Sequence, residues 1–311
     1  MLQTMVKTRT RREPDMLKDQ LNIAPIERVD PGQYSQAVMD YFAHYGLDGA
    51  WCEAEHRFGS FTSQGYTLAG HLYRPAQSQA TVVLLHGYLN HTGQFRHLIR
   101  FLLERGFAVA VYDLPGHGLS SGERAVIESF DTYVRTTQDF LEVAAQYLDG
   151  PLHAVGFSTG AAILIEMMRQ QQAGAFEKIV LAAPLIHWTA YEQSKSTYKV
   201  YIKFTKKIPR FHRKNSSDKA YQVFNKTQDD LHCKYLSLIW VKALFDWNDK
   251  VEAMGPCERA VLVIQGDRDG TVDWRYNLEM VEAKFPNARM HMIGGADHEL
   301  FNEAGVYKQA A

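Results

Sequence analysis

The hydrophobic pattern changes period along the chain, and each change marks an element. Residues 81–85, 107–112, 151–155, 178–185, 260–264 and 289–293 are short, nearly continuous apolar runs, the pattern of strands buried on both faces. Helical periodicity falls between them: residues 94–105, stopped by Gly106; the stripe Phe130, Tyr133, Val134, Thr137, Leu141, Ala144 and Leu148; residues 161–168; and a closing helix over 300–309. Upstream, residues 56–62 and 66–73 flank Ser63-Gln64-Gly65 as a hairpin, which brings the strands to eight. Strand alternating with helix predicts an α/β fold with a mostly parallel sheet, helices on both faces and right-handed crossovers.

Two regions depart from that alternation. Residues 1–50 read as an N-terminal extension with one helix, 33–47, whose Tyr34, Val38, Tyr41, Phe42 and Tyr45 form a packing face; residues 1–30 lack periodicity and are expected to run over the surface. Residues 51–311 then form the main domain, interrupted at about 187–259, where only aromatic and charged segments occur, with a helix over 231–251 and no apolar strand. This insertion is expected to cap the carboxyl edge of the sheet.

Composition narrows the class. A hydrophobic fraction of 46% over 311 residues suffices for a large core, and a net charge of −1 offers no general attraction to nucleic acid. Cys52, Cys233 and Cys257 are odd in number and far apart, which suits a reducing compartment. No apolar stretch approaches the ~18 residues of a membrane span, and the first residues lack an export-type apolar region, so a cytoplasmic location is expected. Lys7, Arg9, Arg11 and Arg12 read as a solvated terminus.

The charge is uneven. From 192 to 234 eleven basic residues, Arg213 among them, face four acidic ones, a balance of +7, which leaves −8 on the rest of the chain. Tyr198, Tyr201, Ile202, Phe204, Ile208 and Phe211 are interleaved there. Such a cap suits docking on an anionic membrane surface; a phosphorylated headgroup, or a merely solvated cap, satisfies the same pattern.

The chemistry collects at strand ends, where open α/β sheets carry their reactive groups. The run at 151–155 leads into Gly156-Phe157-Ser158-Thr159-Gly160 and then a helix, the setting in which G-x-S-x-G presents a nucleophile on a tight turn. Serine needs a base and the base needs a carboxylate to fix its tautomer. The loop after 260–264 offers Asp267 and Asp269, and the loop after 289–293 offers His298. Asp269 lies further from its strand and reaches better toward the histidine loop, whereas Asp267 and Asp273 suit turns or caps. The main-chain N–H of Thr159 opens the following helix and is one oxyanion donor; that of Tyr88, turned inward by Gly87, is the second. His86, His91 and His117 are expected to bond their own loops.

These features resemble the α/β-hydrolase fold family and, within it, the monoacylglycerol lipase and lysophospholipase group classed with serine aminopeptidase-like hydrolases. His86-Gly87-Tyr88-Leu89-Asn90-His91 is similar to that group's H-G-x-x-x-H, and residues 116–124 to its G-H-G-x-S-x-G-x-R. The resemblance runs from about Gly59 onward and implies Ser158, Asp269 and His298 as the triad, with Tyr88 and Thr159 as oxyanion donors. Phe157 stands where the group commonly has His, and Gln94 and Phe95 where it often has Arg and Tyr. The implied activity is hydrolysis of carboxylic esters of one acyl chain, without metal or organic cofactor; from their positions, Trp188 just past a strand end and the cap aromatics Tyr198 and Tyr201 are the candidate pocket walls. Acyl transfer, thioester hydrolysis and carbon–carbon bond hydrolysis use the same triad, and a non-catalytic binding scaffold is the remaining alternative. Serine in place of a carboxylate at the elbow disfavours dehalogenase or epoxide hydrolase chemistry.

Overall fold

The computed structural model describes residues 14–49, 53–210 and 214–311; Lys7, Arg9, Arg11, Arg12, Cys52, Phe211 and Arg213 lie outside them. Helices α1 (Pro14–Leu21) and α2 (Gln36–Tyr45) precede the hairpin of β1 (Ala54–Ser63) and β2 (Tyr66–Pro75). Then come β3 (Ala80–Leu85), α3 (Arg96–Leu103), β4 (Phe107–Tyr112), α4 (Phe130–Ala144), β5 (Leu152–Phe157), α5 (Thr159–Arg169) and β6 (Phe176–Ala182). The insertion contributes α6 (Tyr191–Tyr201), β7 (Lys207–Pro209), α7 (Lys219–Thr227), β8 (Tyr235–Ser237) and α8 (Leu238–Glu252). The chain closes with β9 (Leu262–Gly266), α9 (Trp274–Lys284), β10 (Arg289–Ile293) and α10 (Gly305–Ala310).

Eight strands form one sheet in the order β1-β2-β4-β3-β5-β6-β9-β10. The β1–β2 and β2–β4 pairs are antiparallel and the others parallel. The apolar runs are continuous because both faces are covered. In β3, Val83 and Leu85 join one core with α4, α5 and α8, while Val82 and Leu84 join the other with α1, α2 and α3. Fully burying each such side chain contributes about 1.5–3 kcal/mol, so the sheet cannot slip by one residue without exchanging its cores.

Two expectations need correction. Residues 14–30 do not wander: Leu17 and Leu21 of α1 are buried beside α2, Ile26 is buried in the other core, and Ser60 N–H donates to Ala24 O at 2.8 Å. Among the described residues the N-terminal region therefore holds a second α-helix before the expected one, and it is too short, with too few apolar positions, to show a period. Helix α2 starts at Gln36 because Ser35 Oγ accepts from Val38 N–H, and it stops where Gly46 turns left-handed.

The insertion also differs from its pattern. Residues 207–209 and 235–237 pair as a two-stranded antiparallel ribbon, each strand too short to read as one. The helix expected over 231–251 begins at Leu238, where Ser237 Oγ accepts from the N–H groups of Ile239 and Trp240. Residues 231–234 lie outside it, because Asp229 accepts from Leu231 N–H at 3.0 Å and holds a turn there.

Candidate active site

Ser158 sits between β5 and α5 with φ 52° and ψ −109°, a conformation that non-glycine residues avoid. Sterics maintain it. A Cβ on Gly156 would lie 2.4 Å from Gly160 O, and one on Gly160 would lie 2.0 Å from Leu85 O, so only glycine lets helix, strand and turn approach this closely. The turn is fastened by Ser158 N–H donating to Ala182 O at 2.8 Å and by Ser158 O accepting from Ala162 and Leu185. Thr159 is the first residue of α5, so its N–H belongs to the donors without an intrahelical acceptor.

Asp269 and His298 come from the loops after β9 and β10, neighbouring parallel strands. His298 Nδ1 donates to Asp269 Oδ2 at 2.7 Å. The carboxylate is otherwise held by Thr271 and Val272 N–H at 2.8 and 3.0 Å on Oδ1 and by Gln265 Nε2 at 3.0 Å on Oδ2. Burial favours the neutral acid, but the attraction and hydrogen bond of His298, with the Val272 and Gln265 bonds, hold the carboxyl below its ordinary value. Burial likewise opposes the imidazolium, and Asp269, with help from Glu299, raises His298 above 6.5. Asp267 accepts from Gly295 N–H at 2.7 Å and Asp273 caps α9, both away from the imidazole.

The loop after β3 differs in detail from its reading. Gly87 is glycine because a Cβ would lie 2.7 Å from Asn90 Oδ1 and 3.1 Å from the Phe157 ring. The left-handed residue is Leu89, at φ 65°, within the turn closed by Asn90 N–H to Gly87 O at 3.1 Å. The Tyr88 phenol donates to Ala125 O at 2.9 Å, accepts from Ser237 N–H at 3.0 Å, and its ring stacks on Trp240 at 3.6 Å. His86 donates from Nδ1 to Gly87 O and accepts Leu114 N–H on Nε2, and burial lowers its pKa to about 3, so it stays neutral. His117 donates to Pro115 O and is likewise lowered to about 3 by burial.

His91 departs from expectation: besides accepting Gly93 N–H, it contacts Asp229 of the insertion through Nε2 at 3.1 Å, fully buried. Gln94 donates to the same carboxylate at 2.9 Å, and Tyr45 of α2 donates at 2.9 Å. Gln94 thus becomes a strut between loop and insertion. Phe157 packs its ring 5.0 Å from that of His298, with Phe95 and Phe301 around it.

Above these loops lies a cavity of about 600 Å³ to which Ser158, His298, Tyr88 and Trp188 all contribute. Tyr198 and Tyr201 line instead an adjoining apolar bay of about 190 Å³, which shares Trp188, Ile208, Leu236 and Trp240 with the main cavity. Sequence reasoning missed Asn90, Gln222, Asn225, Trp240 and Glu299 on the cavity wall. Of these Glu299, next to His298, and Asn90, between Tyr88 and His91, carried a positional signal. Among the described residues no three His, Cys, Asp or Glu side chains converge as a metal site, and no helix is long and apolar enough to cross a membrane.

An eight-stranded, mostly parallel sheet with a strained serine turn between strand and helix defines an α/β-hydrolase. Comparison with known families makes the assignment narrower: the profile described as serine aminopeptidase, S33, matches residues 76–305, and the chain belongs to that hydrolase family. It is 28% identical to human monoglyceride lipase over 240 residues, covering 72% of this chain and 77% of that one. Over a shorter stretch of 107 residues, 34% of this chain and 41% of the relative, it is 30% identical to phospholipase YtpA of Bacillus subtilis. In fold it is similar to a soluble variant of monoglyceride lipase from Saccharomyces cerevisiae solved with a substrate analog, at TM-score 0.71 and 17% identity, covering 82% of this chain and 91% of that one.

Proposed function

We propose that the protein hydrolyses carboxylic esters of a single acyl chain, of the monoacylglycerol or lysophospholipid kind, through Ser158, His298 and Asp269. The observation that carries this reading is the 2.7 Å hydrogen bond by which Asp269 holds His298, a histidine that lines the same cavity as the strained Ser158. With its Nδ1 proton committed to Asp269, neutral His298 keeps Nε2 free to accept a proton from Ser158 Oγ as that oxygen bonds to the ester carbonyl carbon. The N–H groups of Tyr88 and Thr159 receive the oxyanion; His298 then passes the proton to the departing alkoxide, leaving an acyl-serine. Water, deprotonated by His298, attacks the acyl carbon, and the proton returns to Ser158 as the carboxylic acid leaves. Each oxyanion donor is worth about 3 kcal/mol of transition-state stabilisation.

The similarity to a monoglyceride lipase and a phospholipase supports a lipid ester over a small one. The exposed Val200, Tyr201 and Phe204, set among lysines of the insertion, support peripheral contact with an anionic membrane, at the cytoplasmic face. The test is a series of p-nitrophenyl esters from acetate to palmitate, with monoacylglycerol and lysophospholipid, for the wild type and Ser158→Ala. Turnover that falls by about 10⁵-fold in the variant, with fluorophosphonate labelling of Ser158, is the expected result. Undiminished turnover in Ser158→Ala would sink the serine mechanism. No turnover and no labelling of the wild type would favour a binding scaffold.

A further inference from the structure

Helix α2 lies ahead of residues 76–305, the part of the chain that the family profile matches, yet one of its side chains reaches the loop after β3. Tyr45 is fully buried, and its ring stands edge-to-face with that of His91, the centroids 5.0 Å apart. Gly93 gives it room, because a Cβ there would lie 2.5 Å from the Tyr45 ring. The phenol does more than fill space. It donates to Asp229 Oδ1 at 2.9 Å and accepts from Leu231 N–H at 3.3 Å, so it clasps the turn of the insertion that carries Asp229. One position earlier in α2, His44 donates to Gln228 O at 2.9 Å.

From Asp229 the bonds lead down to the reacting groups. His91 accepts Gly93 N–H on Nδ1, which leaves its Nε2 proton for Asp229, and Gln94 donates to the same carboxylate at 2.9 Å. Gln94 Oε1 accepts from Asn90 Nδ2, which also donates to Glu299, the neighbour of His298, at 3.2 Å. Asn90 N–H in turn closes the 87–90 turn, which holds Tyr88 and keeps Leu89 at φ 65°. A leucine persists in that conformation only where its surroundings over-determine it, and here they include a set of buried polar bonds that begins at Tyr45.

On the ester-hydrolase reading, on which this inference rests, the Tyr88 N–H receives the oxyanion and the 87–90 turn sets its aim. We infer that Tyr45 is a positioning residue for the reaction: its hydroxyl, acting through Asp229, Gln94 and Asn90, holds that turn where the Tyr88 N–H meets the oxyanion. A helix outside the matched residues thereby sets the rate of the reaction through a side chain that never meets the substrate.

The test is Tyr45→Phe, which keeps the ring against His91 and removes only the hydroxyl, assayed with dissolved p-nitrophenyl butyrate. Losing an oxyanion donor outright costs about 10²- to 10³-fold, so a donor that is displaced rather than lost should lower kcat by about tenfold, with KM changed less than about twofold. A butyl trifluoromethyl ketone, whose hemiketal oxygen takes the oxyanion's place, should lose about the same factor in affinity. The pH at which kcat/KM inflects should not move, since His298 and Asp269 are untouched. Tyr41→Phe is the control: it removes another buried hydroxyl of α2, one that meets His71 at 3.5 Å, and should leave kcat within about twofold of wild type. Gln94→Met cuts the same path further on and leaves α2 intact, so it tests the proposal even if Tyr45→Phe fails to fold. It should give the same fall in kcat, and the two falls should not multiply in the double variant.

An unchanged kcat in Tyr45→Phe, or an equal fall in Tyr41→Phe, overturns the assignment and leaves α2 as packing alone. A loss carried by KM overturns it too, marking Tyr45 as a support for the cavity wall instead, and falls that multiply in the double variant break the path through Gln94. All of these leave the serine mechanism standing. Absence of turnover by the wild type, with no fluorophosphonate labelling of Ser158, overturns the underlying reading.

Discussion

The floor and the roof of the cavity are built on different terms. On the floor, Ser158, Asp269 and His298 are each at most 7% exposed, the turn geometry is enforced by backbone collisions, and Asp269 accepts four hydrogen bonds. The roof carries Phe204 at 83% exposure, Val200 at 58% and Tyr201 at 55%, and its strands β7 and β8 are each three residues long. On the proposed function the difference separates reaction from selection: a bond-breaking centre tolerates displacements of a fraction of an ångström at most, whereas a wall that admits an acyl chain has many workable shapes. Changes on the floor should therefore act on rate, and changes on the roof on substrate choice, by much smaller factors.

The largest effect expected below the loss of Ser158 itself comes from Asp269→Asn. The asparagine keeps the shape but no longer fixes the Nδ1 proton or offsets the imidazolium, and kcat should fall by about 10⁴-fold. The pH profile sharpens the test. Wild-type kcat/KM should rise with pH through a value above 6.5, since His298 acts as base only when neutral and Asp269 holds its pKa up. In Asp269→Asn the inflection should move to lower pH. An unchanged inflection would mean that this pair does not control the titrating base.

The same contrast explains what was legible in the sequence. Ser158 and its glycines stand at fixed spacing because the collisions that require glycine are local, between residues four apart or on the adjacent strand. The histidine and aspartate loops were readable because each follows a continuous apolar strand. The α1 helix and the β7–β8 ribbon were not readable, since eight-residue and three-residue elements are held by tertiary contacts and leave no period. The His91–Asp229 contact spans 138 positions, and nothing at either residue announces the other.

That contact is one of the places where floor and roof are joined, and Asp229→Asn should break it. Burial pushes the Asp229 carboxyl up, yet His91, Gln94 and Tyr45 together hold it below its ordinary value. Its contribution is therefore complete above the usual carboxylate range and is lost as pH falls through the depressed value. The variant should lose about 3 kcal/mol in urea unfolding near neutral pH, roughly a hundredfold in the folding equilibrium, and the difference from wild type should shrink under acid. A difference that persists at acid pH would assign the effect to shape rather than charge.

The roof's charge should act through surfaces. Vesicles of phosphatidylglycerol should bind the protein more tightly than vesicles of phosphatidylcholine, with affinity falling about tenfold from low to physiological ionic strength. Phe204→Ser, which replaces an exposed ring, should weaken binding to both vesicle types. Binding that ignores salt would remove the electrostatic part of the proposal.

The smallest effect is the most specific to the roof. Tyr201 lines the apolar bay while more than half of its surface faces solvent, so it stands at the mouth where, on the proposed reading, an acyl chain would enter. Truncating it opens the bay without touching the Ser158 turn, which lies on another element. Tyr201→Ala should change kcat/KM for the longest esters by about three- to tenfold, since one aromatic contact with a chain is worth roughly 1 kcal/mol when one face stays wet. Butyrate ester turnover, whose chain is too short to reach the mouth, supplies the internal reference, and the ratio of palmitate to butyrate is the quantity to measure. A proportional fall for both esters would show that the substitution disturbs the floor, and that the division between the two halves of the cavity does not hold at this residue.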